Sequence, residues 1–88
     1  MRARFAENLR RCRKRIGLSQ EEVAVRASIH RTEVGLLERQ ERLARVDTLI
    51  KLAAALEVSP CDLLDGITWE PGYAQRGEFE VSVDRSDD

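Results

Sequence analysis

From Phe5 the apolar positions recur as Phe5, Leu9, Cys12 and Ile16, while Arg2, Arg4, Arg10, Arg11, Arg13, Lys14 and Arg15 fill the places between. Steps of four, three and four residues predict an amphipathic helix with a strongly basic outer face. Gly17 closes it, because glycine takes the left-handed conformation that ends a helix without a Cβ clash. Ser19 opens a second helix, its hydroxyl capping a backbone N–H and Glu22 completing a capping box, with Val23, Ala24 and Ala27 facing inward. Ser28-Ile29-His30 breaks the pattern. A third helix follows with Val34 and Leu37 inside and Arg31, Thr32, Glu33, Gly35 and Leu36 outside.

Gln40 to Arg45 has no periodicity and is expected to be a loop, after which Leu49, Leu52, Ala53 and Leu56 mark a fourth helix, with Asp47 a candidate cap. Ser59-Pro60-Cys61-Asp62 is a strong start for a short fifth helix, since proline at the first helical position has no N–H to leave unpaired. It runs through Leu64 to Gly66. Beyond it, Ile67-Thr68-Trp69 is β-prone, Glu70-Pro71-Gly72 signals a turn, and Phe79 to Asp84 alternates with period two. The expectation is one all-α, five-helix domain over 1–65 and an extension over 66–88 with one or two short strands, which must pack on the helices or pair with another chain to be ordered.

Eighty-eight residues make one small domain. The formal net charge of −1 hides an asymmetry: residues 1–45 carry +6 and residues 46–88 carry −7. Basic character in the first half fits a nucleic-acid partner, whereas the tail from Asp65, with seven acids and two arginines, would be repelled by phosphate. Cys12, Cys61 and the single histidine, His30, have no metal-ligand spacing, so neither a metal nor a cofactor is expected, and both cysteines are expected to be reduced core thiols. No apolar run is long enough to span a membrane and the start lacks a signal peptide's apolar block, which predicts a soluble cytoplasmic protein. No nucleophile–base pair or phosphate-binding glycine loop is visible, so neither an enzyme nor a small-molecule ligand is expected.

Gly17-Leu18-Ser19-Gln20-Glu21-Glu22-Val23-Ala24, Ala27-Ser28-Ile29-His30-Arg31-Thr32-Glu33-Val34, Leu37-Glu38-Arg39 and Thr48 to Pro60 resemble the phage repressor/Cro-type helix-turn-helix, the Xre family. The resemblance runs from about Phe5 to Leu64. It implies a lambda-repressor-like domain whose third helix enters the major groove of double-stranded DNA, usually as a homodimer on a palindromic operator. The groove, about 12 Å wide, admits one helix, and the helix before it fixes register on phosphates.

On that resemblance Gln20 is the phosphate contact of the second helix. Arg31 could hold the O6/N7 edge of guanine or grip phosphate; Glu33 could accept from cytosine N4 or cap its own helix; Thr32 or Leu36 could meet a thymine methyl; and Gly35 would allow close approach. Arg39, Arg42 and Arg45 would lie along the phosphate path. The family also commonly pairs an arginine late in the first helix with a glutamate ending the third, here Arg13 and Glu38. It usually has glycine where this chain has Ser28 and Gln40, which implies strain of about 1 kcal/mol each if both keep positive φ. Leu64, Ile67, Trp69, Phe79, Val81 and Val83 are candidates to cover an apolar patch on the last helices, in the same chain or its twin. The expected function is a transcriptional regulator, most simply a repressor. The alternative is a protein-interaction module, such as an antitoxin or anti-repressor, on the same scaffold.

Overall fold

The computed structural model describes residues 1–72, which form five helices: α1 (Arg2–Arg15), α2 (Gln20–Ala27), α3 (Arg31–Glu38), α4 (Val46–Leu56) and α5 (Pro60–Leu63). Every expected helix is present. α1 packs on α3 and α5, α2 on α3 and α4, and α4 on α5. The core between them is aliphatic apart from Phe5 and Cys12, with Leu9, Val23, Val34, Leu37, Leu52, Leu56 and Leu63 fully enclosed. One polar side chain lies among them. Asn8 is completely buried, and its amide donates to the carbonyls of Leu63 and Asp65, both at 2.9 Å, while its oxygen accepts from Arg11 at 3.1 Å. It thereby satisfies the free carbonyls where α5 ends, a need that every helix terminus has.

One device ends the first four helices. After α1 the Leu18 N–H reaches the Arg13 carbonyl at 3.1 Å across Gly17, whose φ is +73°. The same backward bond runs from Ile29 to Ala24, from Glu41 to Leu36 and from Val58 to Ala53. The left-handed residue it requires is Ser28 (φ 58°), Gln40 (φ 65°) and Glu57 (φ 60°) in turn. Non-glycine residues therefore occupy three positions that favour glycine.

Helix starts follow the capping residues. Ser19 and Ser59 each make a full capping box, with Glu22 and Asp62 returning to the cap N–H groups. α4 differs from expectation: it begins at Val46 behind Arg45, and Asp47 lies inside the first turn, where its negative charge suits the helix dipole. Cys12 is buried, but Cys61 is exposed on the outer side of α5, because Leu63 is the residue that α5 turns inward.

No strand occurs among the described residues, so Ile67-Thr68-Trp69 does not form the expected β segment. Gly66 at φ +78° turns the chain, and Ile67 drops against the core with its N–H on the Leu64 carbonyl at 3.0 Å rather than in a ladder with another described segment. Leu64 and Trp69 are exposed, Trp69 at 76%. Phe79, Val81 and Val83 lie outside the described residues.

Candidate nucleic-acid interface

α2 and α3 are eight residues each, joined by the tight left-handed turn at Ser28. His30 caps α3, its Nδ1 accepting the Thr32 N–H at 3.1 Å. From that capped end the first turn presents Arg31 and Thr32 to solvent. An open groove of about 600 Å³ separates it from the start of α2, lined by Arg13, Gln20, Arg31, Thr32 and Arg39 together with Ser19, the acid Glu21 and the backbone at Gly35. Four of the side chains that sequence reasoning assigned to DNA, Gln20, Arg31, Thr32 and Arg39, thus share one surface.

The groove is anchored from below by a three-residue network. Arg13 donates to Glu38 through Nε at 2.7 Å and Nη2 at 2.9 Å, a two-pronged pair, and its Nη1 holds the Leu18 carbonyl at 3.0 Å. Gln20 Nε2 donates to the same carboxylate at 3.0 Å. Glu38 therefore ties α1, α2 and α3 together. Burial pushes its carboxyl up, but the hydrogen bonds from Arg13 and Gln20 outweigh that and hold it below the ordinary carboxylate range. The Arg13 guanidinium is raised, first by its bond to Glu38. Since the two side chains are only 13% and 3% exposed, little water screens the pair. Each is nonetheless satisfied; no buried side-chain nitrogen or oxygen among the described residues lacks a partner.

Other residues stand differently from expectation. Gly35 is buried rather than outside: the Arg39 guanidinium folds over it, and a β-carbon built there would meet Arg39 Nη1 at 2.9 Å. Glu33 caps nothing in α3, where His30 does that work, and its carboxylate instead holds Arg42 from the following loop. Leu36 is half-buried, and Arg45 is exposed beside Asp47 at 3.5 Å. Arg10 is more than a solvated charge, since its Nη1 donates to the Glu38 carbonyl at 3.1 Å and caps the end of α3. Sequence reasoning missed both Arg10 and Asn8. Asn8 left a signal in its position, on the same stripe of the first helix as Phe5 and Leu9, where a polar residue needs buried partners.

Two short helices at a tight turn, the second capped and aimed outward above a rigid ion pair, define a helix-turn-helix DNA-binding protein. The HTH_3 helix-turn-helix family matches residues 9–63, and the chain belongs to it. It is similar to the control protein C.SmaI of Serratia marcescens, 48% identical over 60 residues that span 68% of this chain and 71% of that one. The control protein C.BamHI of Bacillus amyloliquefaciens is 37% identical over 65 residues, 73% of this chain and 80% of its own. Among solved structures, the restriction-modification controller protein C.AhdI from Aeromonas hydrophila superposes with a TM-score of 0.68 at 37% identity, covering 70% of this chain and 94% of that one. These relatives are control proteins and not enzymes, in line with the expectation from sequence. No group of side chains among the described residues could hold a metal ion, and no described helix is long and apolar enough to cross a membrane.

Proposed function

We propose that this chain is a transcriptional regulator of the restriction-modification control type, which binds a palindromic operator as a homodimer and acts on transcription by occupying it. The observation that carries the reading is the outward first turn of α3, with Arg31 and Thr32 exposed beside Gln20. In the major groove, Arg31 would meet a guanine edge with two parallel hydrogen bonds and Thr32 would lie against a neighbouring base. Leu36, one turn on, would present methyl groups to thymine. Gln20 has one amide hydrogen on Glu38 and one left for a phosphate oxygen, and Arg39, Arg42 and Arg45 would supply sequence-independent contacts.

Dimerisation draws support from α4, where Val46 and Ile50 lie one turn apart and are 76% and 51% exposed, with Leu64 and Trp69 exposed further along the chain. Scattered exposed apolar residues need no explanation, but two on one helix face point to a partner surface. A two-fold dimer would present two α3 helices to half-sites about one DNA turn apart, which is why the operator should be a palindrome. Fluorescence anisotropy on duplex from the chain's own upstream region, against a scrambled duplex, tests the proposal. Preferential binding that weakens steeply with salt is expected, because each phosphate contact releases counterions. Equal, weak binding to both duplexes would reject it.

A further inference from the structure

The arginines assigned to DNA are not free cations. Arg31 lies 3.9 Å from Glu21, Arg39 3.0 Å from Glu41, Arg45 3.5 Å from Asp47, and Arg42 is hydrogen-bonded to Glu33. Residues 19–47 hold five arginines against six acids, so the helix-turn-helix itself has no net positive charge. The positive excess of the N-terminal half resides in α1. Of the four acids, Glu33 is the most enclosed: its side chain is 21% exposed, against 53–69% for the others. It also joins the first turn of α3 to the loop nine residues later.

Resting on the DNA-binding reading above, we propose that Glu33 is a discrimination residue: it holds the Arg42 guanidinium against α3 and so keeps that charge from gripping the phosphates of a duplex of the wrong sequence. Sequence-blind binding is driven by neutralising phosphates and releasing their counterions. An arginine already compensated by a carboxylate contributes little to it. On the cognate duplex the docking of α3 is closer, and the base contacts offset the loss of a partly exposed ion pair, whose net stabilisation is small. Glu33 remains in place when Arg42 leaves, because a negative charge in the first turn of a helix is favoured by the helix dipole. In this reading Glu33 is a positioning residue for Arg42 and not a reader of cytosine.

The test uses the full chain as wild type, Glu33→Gln, Arg42→Ala and the double variant. Each is titrated by anisotropy against a random duplex and against a duplex selected by the wild type from a random pool, over a series of salt concentrations. Glu33→Gln is expected to tighten binding to the random duplex severalfold, to steepen its log K against log salt slope by about one, and to lower the ratio of selected to random affinity. The gain should vanish when Arg42 is absent. A merely structural Glu33 would lower the thermal midpoint and leave the salt slope alone, which would overturn the inference. So would a gain that persists without Arg42, or a loss confined to the selected duplex, which would make Glu33 a base reader. If the wild type binds no duplex even in dilute buffer, the DNA reading falls and this inference with it; if the wild type binds and Glu33→Gln changes nothing, only the inference falls.

Discussion

Glu38 shows how one buried charge can position a surface. Its carboxylate takes three hydrogen bonds, two from Arg13 and one from Gln20, and those bonds set the spacing of the helices that line the groove. Removing either member of the pair leaves the other buried and uncompensated, so Arg13→Ala or Glu38→Ala should cost about 3–5 kcal/mol of folding stability, read by urea denaturation. Because Glu38 is held below the ordinary carboxylate range when folded, the unfolded chain binds its proton first on acidification. Its contribution is therefore fully present above the ordinary carboxylate range and is lost as pH falls below that range through the lowered value of the folded state. Glu38→Gln should flatten the acid limb of the stability profile; an unchanged limb would mean that other carboxylates govern it. The sequence offered Arg13 and Glu38 as a pair through family resemblance. It did not offer Gln20 as their third member, since nothing in a linear pattern says that a residue at the start of one helix will reach the end of the next.

At the scale of elements, helix starts were legible because serine capping boxes are local chemistry, readable within four residues. Helix ends were legible where glycine marks them, at Gly17 and Gly66, and through the family resemblance at Ser28 and Gln40, which both keep positive φ. Ser28, Gln40 and Glu57 adopt the same left-handed geometry without being glycine, and of the three only Glu57 had no warning in the sequence. Ser28, exposed and without side-chain bonds of its own, is the cleanest of these to relieve: Ser28→Gly should raise stability by about 0.5–1.5 kcal/mol, seen as a higher thermal midpoint. Asn8→Ala should act in the opposite direction, by about 1–3 kcal/mol, because the Leu63 and Asp65 carbonyls lose their donor where α5 ends. The β-prone Ile67-Thr68-Trp69 misled for a physical reason. Strand propensity is realised only against a neighbouring strand, and Ile67 instead finds cover on the helical core.

At the scale of the whole molecule, the charge map separates two tasks. α1 carries the positive excess, the helix-turn-helix is balanced, and the chain after α4 is acidic, which leaves α4 with its exposed Val46 and Ile50 as the least charged face on which to join two copies. Ile50→Glu should therefore shift sedimentation toward the monomer while the helical circular dichroism is kept; a dimer that persists would place the interface elsewhere. Two copies so joined would bring two capped α3 helices to one duplex, and the account stands on what the first turn of those helices touches. The most direct measurement compares wild type and Arg31→Ala on the selected duplex and on random DNA, at equal salt. A loss of about 1–3 kcal/mol per half-site on the selected duplex, with relaxed preference at one base pair and little change on random DNA, is the expected result. Equal losses on both would contradict it, because Arg31 would then be gripping phosphate and not reading a base.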